Sequence, residues 1–313
     1  MTTVRVEAPA RLHMGMLDAS GDGPRRSAGW GGGEPARGGR GGERERRAHR
    51  RRPDAERALA VAERCRDALG FGTGARVRVL EAIPAHAGLG SGTKLALAVT
   101  AALSALAGQS PDPAAMARTA GRGARSAVGL WTFALGGFVV EGGVDRGAAQ
   151  PAPLLTRHAM PDEWRCVLAI PAAEPGLSGG SEEAAFTDLR PDPARSAEIA
   201  QLVLTALLPA LVERDLVEFG AALSRVQRLV GDSFAPAQGG TFHPQSGPLV
   251  DALLRLGARG AGQSSWGPAV YGLVGSEEHG RVVARALEAE VGAGGRVEVV
   301  RFDNQGSRVS VVA

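Results

Sequence analysis

Ile83-Pro84-Ala85-His86-Ala87-Gly88-Leu89-Gly90-Ser91-Gly92-Thr93-Lys94 runs straight into Leu95-Ala96-Leu97-Ala98-Val99-Thr100-Ala101-Ala102-Leu103, and the rest of the chain is read outward from it. Ahead of it, Ala75-Arg76-Val77-Arg78-Val79-Leu80-Glu81 alternates apolar and polar residues, the pattern of a half-buried strand. Behind it, an Ala- and Leu-rich run without Gly or Pro predicts a buried helix to about residue 107. Gly88, Gly90 and Gly92 open backbone conformations closed to other residues and let main-chain amides approach a ligand. The first amides of a helix lack internal partners and sit at the positive end of its dipole, so the mouth at Ser91 and Thr93 suits a phosphate. Close packing of helix on sheet explains the same glycines, and spacing alone leaves both readings open. No Gly-Lys-Ser/Thr closes the loop as in a Walker motif, and no third glycine falls where a Rossmann fingerprint needs one.

A chain of 313 residues is long enough for one large or two modest domains with ample core. Its 44% hydrophobic and 22% charged residues are ordinary for a globular protein. No apolar run is read as approaching the roughly 20 residues of a membrane helix. The start, Met1-Thr2-Thr3-Val4-Arg5-Val6-Glu7, reads as a strand and not as a signal peptide. A cytoplasmic protein with no membrane partner is therefore expected. Cys65 and Cys166 are expected as two buried thiols, and no metal-ligand spacing is present.

The net charge of +3 is unevenly placed. Residues 25–52 hold ten Arg against three Glu, which leaves the remainder net negative. Basicity confined to one segment argues against a nucleic-acid partner. Residues 27–52 show no hydrophobic periodicity and could not offset their ordering entropy by burial. The segment fits a disordered basic linker or RNA-binding tail, a glycine-rich ligand loop, or an out-of-frame reading of a GC-rich gene. Lys94 is the only lysine among 36 basic residues, as GC-rich coding produces, and ordered patterning stops near residue 27 and restarts near 53. Both observations favour the frameshift.

Along the chain, residues 4–18 read as two short strands joined near Pro9. Asp54 caps a helix over 56–69, with Leu59, Ala62, Cys65 and Leu69 at helical spacing and Gly70 ending it. A helix follows Pro113, strands cover 136–143 and 165–171, and 176–181 is read as a mobile loop. Residues 195–213 and 215–231 form a helical hairpin hinged near Asp215. A helix from Pro248 to Gly257, a glycine- and hydroxyl-rich loop at 260–268, a strand at 269–274, a helix at 277–290 and strands near 296–302 and 307–312 complete the chain. The order lacks regular βαβ alternation and predicts an α+β protein of two lobes, over 1–150 and 151–313.

Four separate motifs now stand in order. They are Ala10-Arg11-Leu12-His13-Met14-Gly15-Met16-Leu17-Asp18; Gly88-Leu89-Gly90-Ser91-Gly92-Thr93-Lys94; Gly121-Arg122-Gly123-Ala124-Arg125-Ser126 with Gly136-Gly137-Phe138-Val139-Val140-Glu141-Gly142-Gly143; and Gly262-Gln263-Ser264-Ser265-Trp266-Gly267-Pro268. Together they resemble the beta-ribofuranosylaminobenzene 5'-phosphate synthase family of the GHMP kinase superfamily, over nearly the whole chain outside about 27–52. The resemblance implies an N-terminal lobe like ribosomal protein S5 domain 2 and a C-terminal α/β-sandwich lobe. It implies a pentosyltransferase of tetrahydromethanopterin biosynthesis, from an archaeon or a methylotrophic bacterium. Phosphoribosyl pyrophosphate and 4-aminobenzoate would give the C-riboside 5'-phosphate, CO2 and pyrophosphate. Small-molecule partners, Mg2+ travelling with the pyrophosphate, and a homodimer follow from it as well.

Two departures matter. GHMP kinases carry an aspartate in a Ser-Gly-x-Asp stretch. The matching Ser126-Ala127-Val128-Gly129 has Gly129 in its place, so a kinase would lack its proton acceptor. The family's glycine-rich strand after Arg25-Arg26 is expected to be missing, replaced by the basic segment.

The reaction needs donors for the leaving pyrophosphate, supplied by Gly88, Gly90, Ser91, Gly92 and Thr93 as the phosphate-binding set. A ring carboxylate and a 5'-phosphate both suit guanidinium forks. Arg11, His13 and Lys94 are the catalytic candidates, and Arg122, Arg125, Ser264 and Ser265 the substrate-binding ones. Each has a plainer reading: Lys94 as a surface cation, His13 as a hydrogen-bonded core residue, the arginines as solvated helix-end charges, the serines as turn residues. No residue is assigned to a metal. The competing functions are an ATP-dependent GHMP-type kinase and a relative that binds ligand without turnover.

Overall fold

The computed structural model describes residues 2–18, 25–26, 29–34, 53–70, 74–145, 150–172, 184–185, 189–190 and 192–312. Strands β1 (Thr3–Glu7), β2 (Ala10–Met16), β3 (Arg25–Arg26) and β4 (Gly29–Glu34) precede four helices. These are α1 (Pro53–Leu69), α2 (Ser91–Leu106), α3 (Pro113–Ala120) and α4 (Val128–Ala134). Strands β5 (Phe138–Glu141), β6 (Val144–Asp145), β7 (Leu154–His158) and β8 (Arg165–Ile170) follow. Helix α5 (Pro193–Glu213) contains a π-helical turn over Val203–Leu207 and leads into α6 (Leu216–Gln238) and α7 (Gly247–Arg255). Strands β9 (Gly260–Gln263) and β10 (Val270–Val274), helix α8 (Glu277–Val291), and strands β11 (Arg296–Arg301) and β12 (Arg308–Val312) end the chain.

The α+β architecture is as expected. One antiparallel sheet has the order β2-β4-β5-β7 and a second β11-β8-β10-β9. Strand β12 pairs with β1, so the two ends of the chain meet. Strand β7 belongs to the first sheet although it lies beyond residue 150. The largest core cluster draws Leu12, Met14, Trp30 and Phe138 from the first sheet together with Trp164, Leu168, Phe219 and Tyr271.

Residues 29–34 correct the expectation that ordered patterning stops near residue 27. Strand β4 pairs with β2 on one side and β5 on the other, and its Trp30 is fully buried. The glycines reflect crowding: a Cβ on Gly31 would fall on the Leu12 carbonyl oxygen, and one on Gly15 would enter the Trp30 ring. The glycine-rich strand is therefore present. Residues 35–52, on which the frameshift and linker readings now rest, lie outside the described residues, as does the loop read at 176–181.

Residues 75–81 join no sheet among the described residues and are largely exposed, with Leu80 at 64%. Period-two alternation marks a wet and a dry side, and only Val79 packs against the α1/α2 core. It does not supply a partner strand. Helix α1 buries the expected Cys65 and packs Ala62 and Leu69 against the core, adds Ala58 and Val61 to the buried face, and turns only Leu59 of the expected set to solvent. Gly70 ends it in the left-handed region, at φ 62°. Asp215 caps α6 by accepting from the Val217 and Glu218 amides, as the hairpin reading expects. The loop read at 260–268 begins as the edge strand β9. Helix α5 spans 21 residues and contains an 18-residue stretch with a mean hydropathy of 1.4, long and apolar enough for a membrane span by length and composition alone, which the sequence reading did not register. It lays Ile199, Val203, Leu207, Ala210 and Leu211 into the core.

Candidate functional site

Helix α2 starts from Gly90, which sits in the left-handed region at φ 76° and offers no side-chain cap. The amides of its first turn are therefore left to solvent or ligand. Each loop glycine is dictated by a neighbour. A Cβ on Gly88 would fall on the Ser264 carbonyl oxygen, and one on Gly90 would lie 2.9 Å from Cγ of Arg11. One on Gly92 would lie 2.6 Å from Nη2 of Arg57 and 3.7 Å from Nη2 of Arg122. Packing and ligand approach thus act on the same loop.

Four guanidinium groups gather at this mouth. Arg57 on α1 is paired with Asp54 at 3.1 Å, and Arg64 donates to the Ala120 carbonyl at 3.1 Å. Arg122 follows the end of α3, and its buried Nε has no hydrogen-bond partner. Burial lowers the Arg122 pKa, and the charges of Arg64, Arg57 and Arg125 lower it further. Like charges around an unsatisfied donor are costly until an anion lies among them.

Beside the mouth, a cleft opens between β2, α6 and the loop after β9. Arg11, His13, Arg125, Ser126 and Ser265 line its polar side; Phe234, Phe242 and Trp266 line its aromatic side. Phe234 and Trp266 meet edge-on with centroids 4.6 Å apart. Arg11 lines this cleft while its Nη1 donates to the Gly88 carbonyl at 2.5 Å, so it bridges cleft and loop. Ser265 faces the cleft with φ 55°, and its amide donates to the His13 carbonyl at 3.2 Å. His13 is 8% exposed, and burial followed by the Arg11 charge lowers its pKa to about 3. It is neutral near pH 7.

Two candidates, Lys94 from the catalytic set and Ser264 from the substrate-binding set, lie away from the cleft lining. Lys94 lies on the inner face of α2, 1% exposed, where Nζ donates to the Thr132 hydroxyl at 2.9 Å and sits over the Phe133 ring. It does not line the cleft, because the third residue past the helix start is turned inward by the helical period. Ser264 is fully buried: its hydroxyl accepts from the His13 amide at 3.0 Å and donates to the Gly88 carbonyl at 2.7 Å. It latches loop to strand and does not line the cleft. Ser91 and Thr93 lie in the first turn of α2, half-buried. The Thr93 methyl lies 3.0 Å from where a Cβ on Gly129 would be. An acid at 129 would therefore start against the mouth of α2, and here Thr93 fills that space.

Sequence reasoning missed Arg57 and Arg64, which on an amphipathic helix look like solvated charges. It also left out Ser126 and Glu141. Glu141 is fully buried at the end of β5 and accepts from the Ser126 hydroxyl at 3.2 Å, the Ala127 amide at 3.3 Å and the Gly143 amide at 2.7 Å. The signal was present: a carboxylate closing the apolar run Phe138-Val139-Val140, where a strand buried on both faces has no place for one.

Residues 56–137 match the GHMP kinases N terminal domain and residues 207–293 the GHMP kinases C terminal domain. A beta-ribofuranosylphenol 5'-phosphate synthase of Archaeoglobus fulgidus is 37% identical over 269 residues, 81% of this chain and 80% of that protein. One of the same name from Methanothermobacter thermautotrophicus is 33% identical over 236 residues, 72% of this chain and 70% of that protein. The crystal structure of homoserine kinase from Cytophaga hutchinsonii superposes with a TM-score of 0.64 at 19% identity, covering 99% of this chain and 97% of that one.

Proposed function

This chain belongs to the beta-ribofuranosylphenol 5'-phosphate synthase family within the GHMP superfamily, and on that premise we propose that it transfers the ribosyl 5-phosphate of phosphoribosyl pyrophosphate to the carboxyl-bearing ring carbon of a 4-substituted benzoate. CO2 and pyrophosphate leave. The observation that carries the reading is the guanidinium cluster at the mouth of α2, set beside an aromatic-walled cleft. Such a pair suits one diphosphate and one benzene ring.

As the bond from the anomeric carbon to pyrophosphate breaks, negative charge grows on the leaving oxygens. Arg57 and Arg122, whose Nη2 atoms flank Gly92, and the first amides of α2 would stabilise that charge. Arg11 and Arg125 line the cleft on the same side, and either fits the 5'-phosphate or the ring carboxylate. Phe234, Phe242 and Trp266 would hold the ring in line with the cationic ribose carbon. Among the described residues no group of three or more His, Cys, Asp or Glu could hold a metal ion. A Mg2+ would therefore be carried by the diphosphate, with the Ser91 and Thr93 hydroxyls beside it, and supplies further charge neutralisation when bound.

The relatives' name carries a phenol where the sequence resemblance carried an aminobenzene. Both 4-hydroxybenzoate and 4-aminobenzoate are thus acceptors to compare, in a cytoplasmic step of tetrahydromethanopterin synthesis. Gly129 in place of the kinase aspartate weighs against phosphoryl transfer. The test incubates the full chain with phosphoribosyl pyrophosphate and each carboxyl-labelled acceptor and follows labelled CO2. Release is expected, and Arg122→Ala should raise KM for the donor about 10- to 100-fold, the worth of one charge-assisted contact. No release with either acceptor, or ATP-dependent phosphorylation of an alcohol, would overturn the reading.

A further inference from the structure

Ser126 and His13 line the cleft, and directly behind them lies a buried carboxylate outside its lining. The Ser126 hydroxyl lies 3.4 Å from Nε2 of His13 and 3.2 Å from Oε1 of Glu141. The three groups form a hydrogen-bonded row from open cleft to buried acid. Among the described residues, the hydrogen-bond partners of Glu141 are a hydroxyl and two amides, and none is a cation. Among the described residues, the charged groups facing this corner are Arg11, whose charge acts on His13; Arg25, whose Nη1 donates to the Gly143 carbonyl at 3.1 Å; Asp145, opposite Arg25 in the β3–β6 pair; and Arg125, beside Ser126 in the chain. Both carboxylate oxygens accept from main-chain amides, so the carboxylate is matched to three donors, and its link to the cleft is the Ser126 hydroxyl.

We propose that Glu141, acting through the Ser126 hydroxyl, stores the proton of the acceptor's para hydroxyl or amino group during the ring substitution and returns it when CO2 leaves. The proposal rests on the synthase reading above. A pair of ring π electrons forms the bond to the anomeric carbon, and the bond to pyrophosphate breaks with its electrons leaving on oxygen. Positive charge then spreads through the ring to the para substituent, whose proton passes to Ser126 Oγ while the Ser126 proton passes to Glu141. The bond to the carboxylate breaks next, and its electrons restore the aromatic ring. The para oxygen or nitrogen takes its proton back by the same path. No proton is consumed overall. Burial raises the Glu141 carboxyl to about 7, against the pull of its three hydrogen bonds, so it both accepts and gives back near neutral pH. Neutral His13 offers Ser126 a partner that does not compete for the proton.

Glu141 is a positioning residue in this scheme, and the test reads more than rate. Glu141→Gln should lower kcat about a hundredfold or more, leave the donor KM within twofold, and abolish the fall in kcat below about pH 7 that wild type should show. Ser126→Ala, which keeps the carboxylate, should reproduce the loss and decides the matter if Glu141→Gln does not fold. With 4-(dimethylamino)benzoate, which has no such proton to lend, wild type and Glu141→Gln should run at equal rates. Either variant at wild-type kcat, an unchanged acid limb in Glu141→Gln, or an undiminished deficit with the dimethyl acceptor would overturn the proton store alone. Absence of labelled CO2 from wild type itself would overturn the synthase reading and the store with it.

Discussion

Glu141 and His13 are displaced in opposite directions by the same dry corner. Burial raises the carboxyl from 4.5 to about 7 and lowers the imidazole from 6.5 to about 3, the latter with help from Arg11. A raised carboxyl contributes stability that is full below its unfolded value and is lost as pH climbs toward its folded one. A lowered imidazole does the reverse: its contribution is full above 6.5 and is lost as pH falls. Between about pH 4.5 and 6.5 the two slopes oppose each other, and wild-type stability should be nearly flat. Glu141→Gln removes one slope and leaves the other. Its unfolding free energy should therefore drop by about 1.4 kcal/mol for each pH unit below 6.5, read from urea midpoints at several pH values. A flat profile in the variant would show that His13 is not held neutral. This corner was only half legible from residue types: the arginine, the histidine and the glycines announce a site. The burial that makes Glu141 titrate near neutrality comes from strands far apart in sequence.

At the scale of elements, β4 shows what a glycine run can be. Gly29-Trp30-Gly31-Gly32-Gly33 has no apolar alternation to read, so by pattern it belongs with the basic tract that follows. In the sheet it fills the space between β2 and β5, where backbone carbonyls such as that of Leu12, together with the Phe302 side chain, occupy the room that its own side chains would need. Gly31→Ala should cost about 1–3 kcal/mol from overpacking and disturb the His13 strand opposite it. Gly74→Ala, with nothing within 4 Å of its Cβ position, should change stability by about 0.5 kcal/mol or less. Thermal melts of the two variants side by side test this, and equal melting would remove crowding as the reason for the glycine. The segment at 75–81 fails in the opposite sense: its alternation is clear and no strand forms. Pairing is a property of two segments, and a one-segment pattern cannot report it. The helices fared better, since α2, α3, α6 and α8 are bounded by local signals such as Pro113, Asp215 and Ser276 that act within one turn.

For the whole molecule, Phe219 on α6 packs at 5.2 Å from the Trp164 ring and 5.9 Å from the Phe138 ring of the first sheet. One side chain thus joins the two halves, and β12 returns to β1 at the far end. Phe219→Ala should cost about 3–5 kcal/mol and still give one cooperative transition, with far- and near-ultraviolet circular dichroism coinciding. Two separated transitions would mean that the lobes fold independently. The amino-acid sequence by itself determined the glycine loop at the head of a helix, the order and ends of most helices, the missing aspartate at Gly129 and the family. Those features depend on neighbours within a few residues or on motifs that survive as strings. Only the tertiary structure decided that Lys94 and Ser264 turn away from the cleft, that β4 completes the first sheet, and that Arg57 joins Arg122 and Ser126 joins Glu141. Burial and partnership are made between segments tens to hundreds of residues apart, and no local pattern encodes which of them meet.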